Sequence, residues 1–265
     1  MQVLSGVLDR PRLEKGKVLV WTAELDRLAE ARLRQLEDWL SGDEKQRALR
    51  FRFDRDRKRF IVARGVLREI LGTYLDTHPQ KVDFSYGPQG KPCVQVPKGE
   101  AVPRFNLSHS FGCAIYALAF EEVGVDLEFV RPVPEMQALV DQYFSIAERD
   151  AFCSLPPALK LRAFFSCWTR KEAYVKACGS GLHMPLDQFD VSVDPTSPAR
   201  LLRAGGVSGD CLPWILRSFD PSAGAVAALV CRRESEPCLY GSWPPMRQPS
   251  GHKPNPDFKG LMTEP

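Results

Sequence analysis

The sequence lacks a Cys-x-x-Cys motif, a recognisable secretory signal and any long apolar run. Its eight cysteines form no Cys-x-x-Cys pair, and several lie inside apolar segments, where a thiol behaves as a small hydrophobe. No apolar run is long enough to cross a bilayer, and residues 1–12 mix polar and apolar side chains. We therefore expect a reduced, cytoplasmic protein that does not enter a membrane.

A strong charge of either sign is also missing. The chain has 265 residues and a formal net charge of +3, which does not suggest a general binder of nucleic acid or membrane. Its apolar share of 44% and charged share of 26% are ordinary for a globular protein with a real core. This length fits one large domain or two small ones. No Gly-x-Ser-x-Gly motif is present, which argues against a serine hydrolase.

Hydrophobic periodicity locates the main elements and a proline-rich end. We predict strands at residues 17–21, 93–96, 123–129, 189–193, 214–219 and 223–231, and helices at residues 25–40, 135–143, 145–155 and 157–178. Asp54 is a plausible N-cap for a further helix. From Glu234 onward proline, serine, glycine and lysine dominate, which predicts a tail that is poorly ordered or wraps the surface.

One predicted strand carries two carboxylates on a single face. Apolar side chains at positions 123, 125, 127 and 129 alternate with Gly124, Asp126 and Glu128, and a period of two separates the two sets. For one such pair alone, a solvated strand face is the simpler interpretation. The long helix that follows adds a third carboxylate, because Glu172 falls inside the apolar stripe and Lys176 lies one turn further along.

A carboxylate on a buried helix face is costly unless something pairs with it. A structural ion pair with an arginine would satisfy Glu172. Alternatively, two carboxylates on a strand and a third on a neighbouring helix suit a hard divalent cation such as Mg²⁺. A lysine beside them suits a phosphate, so the sequence favours a metal-assisted phosphate site.

The first half of the chain contains a run of basic residues. A capping box, Ser41 with Glu44, opens this segment. Its cations are Lys45, Arg47, Arg50, Arg52, Arg55, Arg57, Lys58, Arg59, Arg64 and Arg68. A charge run is usually a solvated helix surface, but arginine forks also suit a polyanionic ligand.

Two short polar motifs follow the basic segment. Lys91 lies in a turn rich in glycine and proline, and alone it would be an unremarkable turn lysine. Further on, Asn106, Ser108 and Ser110 share one strand face, while His109 points the other way or caps the strand end. Because neighbouring strand residues point to opposite faces, Ser108 and His109 are badly placed to act as a nucleophile and its base.

Four motifs together resemble those of the Sfp-type 4'-phosphopantetheinyl transferases. They are Gly-Lys-Pro at 90–92, Asn-Leu-Ser-His-Ser at 106–110, Gly-Val-Asp-Leu-Glu at 124–128 and Trp-x-x-Lys-Glu-Ala-x-x-Lys at 168–176, in the family's order and approximate spacing. The basic segment also resembles the family's N-terminal half. The resemblance covers residues 17–231, and the tail has no counterpart in it.

The resemblance implies an α+β fold made of two similar α/β halves related by a pseudo-twofold, with coenzyme A in the cleft between them. Residues 1–122 would form the N-terminal half with basic coenzyme A-binding helices. Residues 123–233 would form the C-terminal half with the magnesium-binding motifs, and residues 234–265 the proline-rich tail. Because both halves of the site lie on one chain, the resemblance favours a monomer.

The resemblance also implies a reaction: 4'-phosphopantetheine moves from coenzyme A to a serine of an apo acyl or peptidyl carrier protein, and 3',5'-ADP leaves. In this family's pattern Asp126, Glu128 and Glu172 bind Mg²⁺, and Lys176 contacts the phosphates and stabilises the leaving group. Glu172 is also the candidate base for the incoming serine, directly or through a water, although metal binding would lower its basicity.

Further roles follow from the same resemblance. Lys45, Arg59, Lys91, Ser108 and His109 would hold the 3'-phosphate and adenine end of coenzyme A. The basic helix, with exposed apolar residues near Tyr143 and Phe144, would receive an acidic carrier protein. Lys171 matches a motif lysine, but the helical wheel places it to the side of Glu172. Carriers of fatty acid, polyketide and nonribosomal peptide synthesis all fit the resemblance.

Two other functions remain open at this point. A non-catalytic coenzyme A or carrier-protein binding module of the same fold would be expected to have lost a carboxylate or the lysine, and none is lost here. Another metal-dependent phosphoryl or nucleotidyl enzyme, such as one with pyrophosphatase-like activity, would turn over coenzyme A without a carrier surface.

Overall fold

The computed structural model describes residues 12–87, 89–95, 101–181, 184–205, 207–208 and 213–243. Its helices are α1 Glu30–Asp38, α2 Gly42–Ala48, α3 Asp54–Tyr74, α4 Met136–Tyr143, α5 Ile146–Ser154 and α6 Pro157–Cys178. Its strands are β1 Lys17–Glu24, β2 Phe84–Tyr86, β3 Pro92–Val94, β4 Arg104–Ser110, β5 Cys113–Ala119, β6 Val123–Phe129, β7 Asp190–Val191, β8 Leu201–Ala204, β9 Val207–Ser208, β10 Trp214–Phe219, β11 Ala225–Arg232 and β12 Glu236–Ser242.

The two halves of the chain repeat one topology. In the first half β1 precedes the long helix α3, and the antiparallel pair β4 and β5 follows, with β5 in the middle of the order β1-β5-β4. In the second half β6 precedes α6, and β10 and β11 follow, with β11 in the middle of the order β6-β11-β10. This repeat confirms the prediction of an α+β fold with two similar halves.

Alternate residues of the strands point to opposite faces, and β1 contributes to two different cores. On β1, Leu19 and Trp21 pack with α3, whereas Val18 and Val20 face the second sheet. On β6, Val125 lies in that same inter-sheet core, so the predicted period of two is confirmed. The two sheets thus pack back to back with one long helix on each outer face, and the carboxylate face of β6 is turned toward α6.

Helix α6 lies unusually close to β6. A Cβ atom added to Gly124 would overlap the carbonyl oxygen of Ala173 and the backbone nitrogen of Ala177, so glycine permits this approach. The helix has proline in its first turn and ends at Gly179, which adopts a left-handed φ of 70°. Both limits agree with the sequence prediction, and together they set the position of Glu172 and Lys176 over the strand.

The start of the predicted tail is a strand. Residues 236–242 form β12, which pairs in parallel with β1, and Trp243 inserts into the first-half core at 4% exposure. Of the two alternatives for the tail from Glu234, the poorly ordered one does not hold for this stretch, because main-chain pairing with the free edge of β1 orders it. Residues 244–265 of the predicted tail lie outside the described residues.

Smaller differences concern helix limits, cysteines and membrane spans. Helix α1 begins at Glu30 rather than at Leu25, and β8 was not predicted. Six cysteines whose side chains are described are free thiols, and Cys167 and Cys231 are buried, in keeping with an apolar role. Among the described residues, no helix is both long and apolar enough to cross a membrane.

Candidate active site

Side chains of β4 join the two sheets beside the carboxylate strand. The backbone N–H of Val125 donates to Oδ1 of Asn106 at 2.8 Å, and the backbone N–H of Leu127 donates to Oγ of Ser108 at 3.3 Å. Asn106 and Ser108 are both buried. Because polar side chains satisfy backbone donors that a neighbouring strand would normally satisfy, the alternate polar positions of β4 fix β6 in register against the first half.

Asp126 forms the centre of this site. Its Oδ1 accepts a hydrogen bond from Oγ of Ser108 at 2.8 Å and lies 2.6 Å from Nζ of Lys176. Lys176 is also 3.2 Å from Oγ of Ser108, so the three side chains form one connected group. Burial raises the pKa of Asp126, and the ammonium of Lys176 opposes that effect. The structure thus brings together three residues that the sequence placed in separate motifs.

Glu172 faces this group from α6. Its pKa is raised first by burial and then by the charge of Asp126, with a smaller contribution from Glu128. The side chain is half-buried and makes no hydrogen bond within the part of the chain that the structure describes. The alternative of a structural ion pair between Glu172 and an arginine is not observed among those residues, so its charge is available for a cation or a proton.

Glu128 lies at the outer end of the same strand face. Its Oε2 accepts hydrogen bonds from Oγ of Ser110 at 2.8 Å and from Nη1 of Arg131 at 3.0 Å. Three carboxylates therefore border one region, and oxygen donors of this kind are those that Mg²⁺ prefers. Across the described residues they are not drawn together into a preformed three-ligand cluster. The donor chemistry fits Mg²⁺, and the assignment of Asp126, Glu128 and Glu172 as its ligands stays a prediction.

His109 points away from Ser108, toward solvent and toward the basic helices. Partial desolvation lowers its pKa, and the cations of Lys176, Arg47 and Arg59 lower it further. The structure thus places α2 and α3 of the first half next to the carboxylate site of the second.

Arg59 is held by a bidentate ion pair with Asp26, at 2.7 and 2.6 Å. A cavity of about 270 Å³ adjoins this region, lined by Asp43, Glu44, Arg47, Arg50, Phe60, Arg64 and Tyr86.

The two remaining predicted coenzyme A contacts are less central. Lys91 reaches the C-terminal end of α6, where its Nζ lies 2.8 Å from Glu122 and 3.2 Å from the carbonyl oxygen of Ala177. It therefore ties the turn after β2 to α6 in this structure. Lys45 lies half-buried on α2, and its side chain makes no hydrogen bond or ion pair with any described residue. Their contacts with coenzyme A stay predictions.

The expected carrier surface near Tyr143 and Phe144 needs one correction. Phe144 is 1% exposed and stacks on Phe164, so it is a core residue and offers no surface to a partner. Lys171 is fully buried, with Nζ 2.7 Å from Oε1 of Glu148, and has a structural role. The capping box explains this pairing, since Glu148 also accepts from the backbone of Ser145 and is held in the core.

Sequence reasoning left three residues of this region without a role. Ser110 and Arg131 both bind Glu128, and Arg47 lies close enough to His109 to lower its pKa. The period-two pattern of β4 placed Ser110 on the correct face, but nothing in the sequence showed that this face meets β6. Arg47 was one member of a long basic run, and only the helix packing separates it from the others.

The fold and the site define an α+β protein in which carboxylates, a lysine and arginines lie where the two halves adjoin, a set suited to phosphate transfer. A family model described as the 4'-phosphopantetheinyl transferase superfamily matches residues 122–229. A second model, for the N-terminal part of 4'-phosphopantetheinyl transferases, matches residues 28–121.

Individual relatives agree with both models. The 4'-phosphopantetheinyl transferase HetI of Nostoc sp. (strain PCC 7120) is 38% identical over 219 residues, covering 82% of this chain and 89% of HetI. The transferase psf-1 of Bacillus pumilus is 29% identical, covering 79% of this chain and 85% of psf-1. A solved structure, the holo-[acyl-carrier-protein] synthase of Thermotoga maritima, has a TM-score of 0.32 at 20% identity, over 42% of this chain and 62% of that protein. On the HetI match, this chain belongs to the 4'-phosphopantetheinyl transferase family.

Proposed function

We propose that this chain transfers 4'-phosphopantetheine from coenzyme A to a serine hydroxyl of an apo acyl or peptidyl carrier protein in the presence of Mg²⁺. The observation that carries the proposal is the connected group of Ser108, Asp126 and Lys176, with Glu172 facing it from α6. These residues come from three separated motifs and meet where the two halves of a phosphopantetheinyl transferase fold adjoin. One chain supplies the whole group, which supports a monomer.

The reaction is a displacement at the β-phosphorus of the coenzyme A pyrophosphate. The serine oxygen forms a bond to that phosphorus, and the bond from phosphorus to the bridging oxygen breaks. The products are the phosphopantetheinyl serine and 3',5'-ADP, while the hydroxyl proton passes to a base. Mg²⁺, when bound by Asp126, Glu128 and Glu172, supplies neutralisation of the pyrophosphate charge and alignment of the reacting groups.

The protein's own groups suit the remaining tasks. The ammonium of Lys176 is held 2.6 Å from Asp126, so it is oriented toward the place where the leaving phosphate gains charge. In the metal-free protein burial and the charge of Asp126 raise the pKa of Glu172, and Mg²⁺ bound by the three carboxylates would lower its basicity. We assign to Glu172 the removal of the serine proton, directly or through a water.

The basic helices provide for the anionic end of coenzyme A. The charges of Arg59 and Lys176 both act on His109, and Lys176 also contacts Ser108 at 3.2 Å. Guanidinium groups bind phosphates through paired hydrogen bonds, so Arg59 suits the 3'-phosphate after release from Asp26. Lys45 and Lys91 complete this set, and Lys91 must then leave Glu122.

The exposed loop between α2 and α3 is the surface that suits the carrier protein. Leu49 is 66% exposed and Phe53 59% exposed, and the interleaved Arg50 and Arg52 are also exposed. Apolar side chains set among cations complement an acidic protein surface with an apolar centre. The loop joins the helices of Arg47 and Arg59, both close to His109, so a carrier docked here has its serine near the site.

The alternative of a non-catalytic binding module is not favoured, because Asp126, Glu128, Glu172 and Lys176 are all present and grouped. Purified protein mixed with an apo carrier protein, coenzyme A and Mg²⁺ tests the proposal by intact mass spectrometry of the carrier. We expect a mass gain equal to phosphopantetheine that is abolished by EDTA and by Asp126→Ala. Binding of coenzyme A without a mass gain on any of several acyl and peptidyl carriers would support the binding module instead.

The carrier surface has its own test. The double variant Leu49→Ser/Phe53→Ser should raise the KM for the carrier about tenfold, a loss of ~1.4 kcal/mol, while the KM for coenzyme A stays unchanged. Leu202→Ser is the matched control, since Leu202 is also an exposed leucine but lies on β8 of the second half. An unchanged carrier KM in the double variant would remove this surface from the proposal.

A further inference from the structure

Two donors hold Glu128 by the same oxygen. Both Ser110 and Arg131 donate to Oε2, at 2.8 and 3.0 Å, whereas Oε1 accepts no hydrogen bond from any residue that the structure describes. A carboxylate without such partners rotates freely about its terminal torsion. Here Oε2 is anchored by both donors, and Oε1 is left for a ligand.

Arg131 is itself fixed by four contacts. Its Nη1 also donates to the carbonyl oxygen of Phe129 at 3.0 Å, and its guanidinium lies 5.4 Å from the ring centre of Phe111 and 5.2 Å from that of Phe165. An exposed ion pair usually contributes little, because ordering a long side chain costs entropy. In this case the rings and the carbonyl hold the guanidinium in place before it meets Glu128.

Phe165 connects this arrangement to the catalytic helix. It lies on α6 two turns before Glu172, so both side chains project from nearly the same face of that helix. Arg131 therefore bridges the strand of Glu128 and the helix of Glu172. Phe111 supports the bridge from a strained backbone, with a φ of 51° that a non-glycine residue rarely adopts. Such strain is retained at functional sites when the surrounding structure enforces it.

We infer that Ser110 and Arg131 are positioning residues that orient Oε1 of Glu128 toward the metal position between β6 and α6. The inference rests on the proposed function, because it takes Glu128 as a Mg²⁺ ligand. Partners that orient metal-binding carboxylates typically contribute 10- to 100-fold to metal affinity. The effect must appear in metal binding itself and not merely in turnover.

Calorimetric titration of Mg²⁺ into the full chain with coenzyme A present and no carrier protein tests the inference, because no transfer takes place. We expect Ser110→Ala, which changes no charge, to weaken Mg²⁺ binding about tenfold, and Arg131→Met to weaken it by a similar factor. Arg131→Lys keeps the charge but loses the planar fork, so it should also bind Mg²⁺ more weakly. When Ser110→Ala or Arg131→Met is combined with Glu128→Gln, the double variant should bind Mg²⁺ no more weakly than Glu128→Gln alone.

Arg162→Met is the matched control. Arg162 also pairs with a carboxylate, Asp220, and its side chain is 41% exposed against 45% for Arg131. This control should bind Mg²⁺ like the unmodified chain, and thermal denaturation should show that all variants remain folded. Unchanged Mg²⁺ affinity in Ser110→Ala, or tighter binding in Arg131→Met because a competing cation is removed, would overturn the inference. Absence of Mg²⁺ binding in the unmodified chain would instead refute the metal part of the proposed function.

Discussion

At the scale of single residues, the site carries more negative charge than its surroundings satisfy. Asp126 is paired with Lys176, and Glu128 with Ser110 and Arg131, but Glu172 has a raised pKa from burial and from both neighbouring carboxylates. Such an arrangement lowers the stability of the metal-free protein. It is also what gives a cation a favourable place to bind, so function and stability oppose each other at Glu172.

Glu172→Gln should therefore stabilise the protein while abolishing transfer. Without metal at neutral pH, we expect the free energy of unfolding to rise by about 0.5–2 kcal/mol, because a neutral amide feels no repulsion from Asp126 and Glu128. Urea denaturation in EDTA measures this difference. A variant no more stable than the unmodified chain would contradict the electrostatic account.

The pH dependence of this difference has a definite sign. The folded-state pKa of Glu172 lies above its unfolded value, so its carboxyl favours folding fully below the unfolded pKa, and this contribution is lost as pH rises through the folded pKa. The advantage of Glu172→Gln should thus vanish in acid and grow as pH rises through the raised pKa. Added Mg²⁺ should stabilise the unmodified chain and not the variant.

At the scale of elements, the site depends on how closely α6 approaches β6. The helix carries Glu172 and Lys176, the strand carries Asp126 and Glu128, and Gly124 is the position where the two backbones nearly touch. The polar face of β4 then fixes β6 to the other sheet through Asn106 and its neighbours. The geometry of the proposed site therefore follows from one helix–strand contact and one contact between strands of different sheets.

Gly124→Ala should separate the helix from the strand. The added methyl group would overlap backbone atoms of Ala173 and Ala177, so we expect a loss of about 1–3 kcal/mol or more and a loss of transfer activity. Gly42→Ala is the matched control, because a Cβ there meets no atom within 4 Å. That control should be neutral or gain about 0.4–1 kcal/mol. Equal stability of the two variants, measured by denaturation, would show that the close approach is not required.

At the scale of the whole molecule, the end of the described chain returns to the first half. The backbone N–H of Trp243 donates to the carbonyl oxygen of Thr22 at 2.6 Å, its ring meets that of Trp21 at 5.0 Å, and its Nε1 donates to Glu69 at 2.7 Å. The second half is thus followed by a segment that completes the core of the first. We expect the two halves to unfold together.

Trp243→Ala tests this coupling. Loss of the buried indole should lower the free energy of unfolding by about 3–5 kcal/mol, as for other large-to-small changes in a core. Leu202→Ala, at an exposed apolar position, should change it by less than about 0.5 kcal/mol. Measurement of urea denaturation by tryptophan fluorescence and by far-ultraviolet circular dichroism should give coincident transitions. A small change for Trp243→Ala would show that this residue does not belong to the core.

Much of the site followed from local patterns. The alternation of apolar and polar residues placed Asp126 and Glu128 on one face of β6. Helical spacing placed Glu172 and Lys176 on one side of α6, and proline and glycine marked the two ends of that helix. These features depend on the backbone geometry of one element, so the order of residues determines them. The resemblance to a family added the pairing of the motifs, which no single element contains.

The tertiary structure decided which patterns meet. The sequence placed Phe144 beside an exposed apolar surface and Lys171 to the side of Glu172, but packing gives Phe144 a place in the core and Lys171 an ion pair with Glu148. Residues distant along the chain, such as Ser110 and Glu128, become partners because β4 lies beside β6. The sequence by itself determined the elements and the faces on which their side chains lie. Only the packing of two sheets and two helices decided which faces share a site, because this packing depends on contacts between residues far apart in the chain.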